Sequence, residues 1–461
     1  MDYRKIAYLL VLLIFLAGCT GTTPTPTPEP DQFIPLDEYL AVVETATFDE
    51  YVELEQAQVE NEDAFAAMKE HILTMYEGVE SLHSFVSDNQ YIDCIRIEDQ
   101  PGVRLRDLTI DDIDLAGPDL TNSGEFSGKD PDAGEAEFVP SPLTLGEADA
   151  FGNKIACEDG TIPMRRITLE EMVRFPNLER FFSKSADGND RLPPIPPEKE
   201  PQDPEDDRPS RQYAYGWQAV TNYGGNSWLN LWNPNVSNSS DFSLSQHWYT
   251  AGEDDEHQTV EGGWQVYENK YGSDNAALFI FYTADNYQSA NKKCYNLECS
   301  AFVQINSNWV LGGTWSNYST TGGTQWIFGM QWKLYEDNWW LFLRGAGDYE
   351  AVGYYPASAF DDGPITESAT MILYGGEVTP LDVGWPEMGS GEFAEQGWQR
   401  AAYQRTIFYI PRNENNGVGV WADLNPVETA PDCFTIDYTD AADGGSWGTY
   451  FFFGGPGGDC E

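Results

Sequence analysis

The chain has 461 residues, 76 of them acidic and 25 basic, for a formal charge of -51. That length accommodates two or three domains, and the charge excludes a nucleic-acid binder that works through phosphate contacts and opposes electrostatic docking on anionic lipid. Such a surface suits high salt or work in acid, with a plain solvated surface as the default reading.

At the N-terminus, Arg4 and Lys5 precede an apolar run from Ile6 to Phe15, then Leu16-Ala17-Gly18-Cys19. Residues 1–18 read as a signal peptide. The ending resembles the lipobox of prokaryotic lipoproteins, which makes Cys19 a lipidation site; an ordinary signal peptide with an incidental cysteine is the alternative. Residues 19–30, rich in Thr and Pro, read as a stiff tether. The expected location is extracellular, anchored at the membrane surface, with release after processing. Cys19 aside, six cysteines remain, an even number outside the cell. The proposed pairs are Cys94–Cys157, Cys294–Cys299 and Cys433–Cys460, among the many that six cysteines allow. A zinc site is the weaker reading, since there is no CxxC and only His247 and His257 accompany the last four cysteines. No metal or other cofactor is expected.

Residues 31 to about 92 read as helical: Phe65, Met68, Ile72, Met75, Val79 and Leu82 step by three and four. Residues 93–185 are mixed. Thr168-Leu169-Glu170-Glu171 reads as a capping box opening a short helix that ends near Phe182. A proline-rich acidic linker spans 191–211, leaving 31–190 as a mixed α+β domain. From Gln212 to the end, short alternating strands recur between turn signals, which predicts an antiparallel sandwich or barrel. Many strands carry aromatics on both faces, as an aromatic-lined groove or a thick core would require. After Arg211 only Lys270, Lys292, Lys293 and Lys333 remain as lysines.

Two glutamates stand out in this region. Glu261 lies in Thr259-Val260-Glu261-Gly262-Gly263-Trp264-Gln265-Val266 and Glu377 in Leu373-Tyr374-Gly375-Gly376-Glu377-Val378. A carboxylate within an apolar strand is costly unless paired, neutralised or used. Glycine neighbours let another chain come close. Two such places suggest a carboxylate pair facing an extended ligand.

Around them, several segments carry a family resemblance. They are Phe242-Ser243-Leu244-Ser245-Gln246, Val260 to Val266, Tyr282-Thr283-Ala284-Asp285 and Cys294-Tyr295-Asn296-Leu297-Glu298-Cys299. Val352-Gly353-Tyr354-Tyr355-Pro356, Gly375-Gly376-Glu377-Val378, Met388-Gly389-Ser390-Gly391 and Gly454-Gly455-Pro456-Gly457 follow. In this order they resemble the neprosin family of glutamic peptidases. Asp93-Cys94 with Gln100-Pro101, and Cys157 to Arg166, resemble the family's activation peptide. Family members often carry histidine after Met-Gly-Ser-Gly; this chain has Glu392, a third acidic candidate.

The resemblance implies a β-sandwich of concanavalin-like and glucanase-like shape, made as an inactive precursor whose prodomain (31–190) is the inhibitor. It implies a peptide or protein substrate, cut in acid and after proline, with Glu261 and Glu377 as the catalytic pair. Two nearby carboxylates that share a proton supply both an activated water and a proton donor. Gln246 is the first candidate for the oxyanion donor, with a loop-bonded strand glutamine as the alternative. Trp264 and Tyr282 are candidates to wall a substrate pocket, core packing being the alternative. Gln265 alternates with Glu261 and is expected on its face. A glycosidase and a non-catalytic surface lectin are the rival readings.

Overall fold

The computed structural model describes residues 33–122, 136–139, 148–185, 188, 190, 193, 211–380, 384–412 and 418–459. The expected signal peptide and tether with Cys19, most of the linker, and Cys460 lie outside the described residues. Phe65, Met68, Ile72 and Met75 form the buried face of a helix, Glu62–Met75, capped by the Asn61 side chain. The apolar spacing continues to Val79 and Leu82, but the helix does not. Gly78 has φ +72, and a hairpin follows: strand His83–Ser87, a turn at Asp88 and Asn89 with φ 48 and 62, and strand Gln90–Arg96. Two successive left-handed residues are what a tight hairpin turn requires. Strand Thr161–Arg165 completes this small sheet, and the Cys94–Cys157 disulfide closes it.

Thr168 caps as expected, its hydroxyl accepting from Glu171 N at 3.2 Å. The helix it opens ends at Met172. A second helix, Leu178–Phe182, starts from its own cap at Asn177. Pro176 separates the two, because the residue before proline is driven out of helical geometry.

The rest is an antiparallel β-sandwich. One sheet of seven strands runs, edge to edge, Lys293–Tyr295, Ala277–Thr283, Gln258–Val266, Phe242–Ala251, Ala369–Thr379, Gln212–Asn222 and Asn425–Glu428. The second is built on strands Gly224–Asn230, Trp326–Tyr335, Asn338–Arg344, Tyr349–Tyr355, Ala402–Tyr409 and Tyr450–Gly454. Side chains pack between them: Tyr249 against Trp339, the Trp264 indole on Asn230 O, and Gln404 on Ser245.

An antiparallel sheet with one wet face buries every second residue. Here all of Phe242–Ala251, Gln258–Val266 and Ala277–Thr283 are buried. The second cover is the N-terminal half, which forms one compact unit with the sandwich over Pro35–Glu461. Aromatics on both faces therefore reflect two covers. The N-terminal half also reaches the other sheet. Strand Glu137–Phe138 pairs in parallel with Trp326–Ile327, and the Gln100 side chain bonds both N and O of Gln304.

Candidate active site

Glu261 and Glu377 sit on strands far apart in sequence that flank the same neighbour, Phe242–Ala251. In register, Glu261 faces Trp248, Gln246 lies between Gly263 and Gly375, and Glu377 faces Leu244. Partners in register share a face. The two carboxylates thus lie on one diagonal across three strands, with Gln246 at its midpoint. At Gly263 a Cβ would lie 1.9 Å from Ser245 O, so the strand approach there needs glycine.

Both carboxylates are wholly buried. One group bridges them: the Lys184 ammonium, 2.7 Å from Glu261 Oε2 and 2.8 Å from Glu377 Oε2. It lies 5.2 Å above the Trp248 ring. Lys184 belongs to the segment after the Leu178–Phe182 helix, so the N-terminal half delivers this cation. Glu261 Oε1 accepts from Tyr287 Oη at 2.7 Å and Thr259 Oγ1 at 2.8 Å. Burial and the Glu261 carboxylate together push the Tyr287 phenol well up, so it stays a donor. Glu377 Oε1 accepts from Arg211. Arg211 also donates to Ser185 Oγ at 2.7 Å and Asp190 Oδ1 at 3.0 Å. Asp190 in turn accepts from Lys184 N and lies 3.4 Å from Lys293 Nζ.

Three of the four lysines after Arg211 face the N-terminal half. Lys293 meets Asp190, Lys333 donates to Asp119 O and Thr121 Oγ1, and Lys270 donates to Phe181 O at 2.7 Å. Lys270 also pairs with Glu298, which lies 3.6 Å from Arg165 of the N-terminal half. Three of the sandwich's few lysines thus lie at that interface.

The residues singled out in the sequence divide by face. Gln246 Nε2 is 3.4 Å from Glu377 Oε2, a long contact, and its Oε1 has no hydrogen-bond partner among the described residues. Gln265 lies on the Glu261 face, bonded to Tyr295 and Tyr271. Trp264 and Tyr282 do not join the pair. Their odd offset from Glu261 turns them inward, Trp264 onto Asn230 O and Tyr282 onto Tyr355 and Phe360. They are core residues, and the pocket role expected for them is corrected. Glu392 is also elsewhere, in a solvated pair with Arg400 at 2.9 Å.

Lys184, Asp190, Arg211, Trp248 and Tyr287 were not anticipated. Trp248 was findable, being two residues from Gln246 on one strand. The cysteines pair as expected in Cys94–Cys157 and Cys294–Cys299. Cys433 is in a disulfide, but its expected partner lies outside the described residues. Among the described residues, no group of His, Cys, Asp and Glu is arranged to hold a metal, and no helix is long and apolar enough to cross a membrane.

A scytalido-glutamic peptidase with a transition state analog inhibitor is similar over 52% of this chain and 97% of its own, at 10% identity and TM-score 0.31. SCP-B, a member of the Eqolisin family of peptidases in complex with the tripeptide Ala-Ile-His, is similar over 53% and 96%, at 10% identity and TM-score 0.27. Both likenesses are too slight to bear on the site. Residues 239–456 match the Neprosin family model, a stretch that contains both Glu261 and Glu377. Most of the sandwich domain of this chain is thus similar to the neprosin family.

Proposed function

We propose that the chain is the precursor of a glutamic endopeptidase, with Glu261 and Glu377 as its catalytic pair and residues 31–190 as its inhibitory prodomain. The observation that carries this reading is the single Lys184 ammonium bound to both carboxylates. A site that binds one small cationic donor between two carboxylates also suits a water there, once the segment leaves.

In the open site, one carboxylate takes a proton from the water while the other gives one to the leaving amine. Glu261 keeps Tyr287 and Thr259, both of the sandwich, as donors after the prodomain departs. Glu377 keeps Arg211, which follows the linker prolines, while both carboxylates lose the shared Lys184 and share the roles of base and acid. Gln246, at the midpoint of the diagonal, is placed to donate to the oxyanion. The Trp248 ring is left to wall the cleft.

Activity in acid, cleavage after proline, secretion and lipid anchoring through Cys19 belong to the same reading. They are supported by the similarity of the sandwich to the neprosin family, by the prolines of the linker and by the N-terminal sequence. Pro194, Pro197, Pro201, Pro204 and Pro209 are the linker sites that such a specificity selects.

The test is the full chain with Cys19 replaced, beside Glu261→Gln and Glu377→Gln forms, held from acid to neutral pH with proline-containing reporter peptides. Cleavage of peptide and linker by the parent, reduced roughly 100-fold or more in each variant, is expected. A parent inert on peptides but active on glycosides would replace this reading with the glycosidase.

A further inference from the structure

We infer that Tyr295 is the receptor for a main-chain carbonyl of the substrate, a positioning residue that resting prodomain occupies with its own backbone. This rests on the peptidase reading above. Tyr295 ends the edge strand Lys293–Tyr295, inside the loop closed by the Cys294–Cys299 disulfide. Its ring is fixed against Phe281 and Phe279. Its hydroxyl donates to Lys184 O at 2.9 Å. That carbonyl belongs to the same residue whose side chain bridges Glu261 and Glu377, so it lies one side chain's length from the reacting groups. The amide N–H of Lys184, by contrast, is bonded within the prodomain, to Asp190.

The hydroxyl has little freedom to point elsewhere. Gln265 Nε2 donates to Tyr295 Oη at 3.2 Å, and Gln265 Oε1 accepts from Tyr271 Oη at 3.1 Å. The three side chains come from three elements of the sandwich and form a one-way chain of donors ending at the cleft. With Gln265 donating to the Tyr295 oxygen, the Tyr295 proton is directed at the cleft. Burial pushes both phenols well above their ordinary range, which keeps these protons in place in acid and at neutral pH.

When the prodomain leaves, the Tyr295 hydroxyl faces the opened cleft and donates to water. A peptide carbonyl at that place takes over from the water as its acceptor. The contact reads backbone, not side chain, so it serves every substrate alike. Binding of that kind strengthens ground state and transition state together and appears in KM rather than kcat.

Tyr295→Phe removes the hydroxyl and keeps the ring packing. The experiment uses the chain with its linker cut by an added endopeptidase and the prodomain released in acid. Proline-containing peptides are compared in which one backbone carbonyl oxygen at a time is replaced by sulfur, a weaker acceptor. In the parent, sulfur at one position is expected to raise KM about five- to tenfold, the worth of one neutral hydrogen bond. Tyr295→Phe should raise KM for the all-oxygen peptide by a similar factor, leave kcat unchanged and lose the sensitivity to that sulfur. A variant with parental KM, or one that keeps the sensitivity, overturns the inference while leaving the peptidase reading intact. The same peptides are titrated by calorimetry into a Glu261→Gln form. If the parent hydrolyses none of them, yet one sulfur position weakens binding only when the Tyr295 hydroxyl is present, the peptidase reading falls and the carbonyl receptor stands. Binding that ignores the sulfur at every position overturns the receptor.

Discussion

In the central strands of the seven-stranded sheet both faces are buried and both carry polar groups, yet they are built on opposite terms. Alternate residues of the same strand serve each. Facing the second sheet, His247 Nε2 meets Ser227 Oγ at 2.6 Å, Ser227 bonds Gln404, and Tyr249 meets Tyr374. Burial pushes His247 down to about 3, so this network stays neutral. Facing the N-terminal half, Glu261 and Glu377 meet Lys184, Arg211 and, through them, Asp190. His247, Ser227, Gln404, Tyr249 and Tyr374 on the inner face find their partners within the sandwich. The outer face takes part of its counter-charge from a segment beyond the sandwich. What marks a site is therefore less the buried polar group than a partner able to leave.

Removing that partner is the strongest way to break the contrast. In Lys184→Met, two adjacent buried carboxylates lose their shared cation, and breaking a buried ion pair costs about 3–5 kcal/mol. The full, uncut chain should then melt earlier at neutral pH. It should also hydrolyse peptide before its linker is cut. Thermal melts at neutral pH, together with peptide assays on uncut protein, read both effects. A parental melt and a silent uncut chain would show that the ammonium neither stabilises nor inhibits.

Acid should loosen the outer face through His71. This side chain of the N-terminal half lies against Glu298 O at 3.0 Å and edge-on to Phe182. Burial, with Lys270 adding to it, pushes it down to about 4. A histidine with a depressed value in the docked state favours docking above its free value of about 6.5. That contribution declines as pH falls below about 6.5 and is gone once pH passes about 4. Size-exclusion chromatography of linker-cut chain should show release growing over this window. His71→Gln, which retains an N–H donor, should flatten the dependence. His247 acts in the same sense on the fold of the sandwich, down to about 3, and should leave release unaltered.

Much of this contrast was legible in the sequence, though unevenly. The strand pattern of the C-terminal half and the oddity of Glu261 and Glu377 follow from single segments. Their adjacency does not, because it depends on both strands flanking Phe242–Ala251, and only the ordered family motifs joined them. The hairpin at His83–Arg96 was hidden by an apolar spacing that ran past the helix end. Gly78 and the Asp88-Asn89 turn were the stop signals. Lys184 carries no local signal, since Ser183-Lys184-Ser185 is ordinary surface sequence and its meaning lies in what it meets. Trp264 and Tyr282 are instructive in another way. The two-residue period that set Gln265 beside Glu261 also turns Trp264 away from it.

Trp264→Phe sharpens the comparison from the inner side. The change deletes the indole donor to Asn230 O and leaves a small void, so a loss of about 1–3 kcal/mol in stability is expected. The specificity of whatever folds should be unaltered, because Trp264 lies behind the strand and not in the cleft. Denaturant melts and a peptide panel on the activated enzyme separate the two effects. A shifted cleavage preference would return Trp264 to the substrate side.

Glu392 should give the smallest effect. It follows Met-Gly-Ser-Gly, where its acidity invites a third catalytic role, but its carboxylate pairs with Arg400 on the surface, both side chains partly exposed. Exposed pairs of this kind contribute about 0–1 kcal/mol, because solvent screens the attraction and both chains lose freedom. Glu392→Gln should therefore move the melting curve hardly at all and leave kcat and KM at parental values across the pH range. A changed pH profile in this variant alone would mean that the activated cleft draws Glu392 inward. The division of labour between the two faces would then describe the precursor and not the working enzyme.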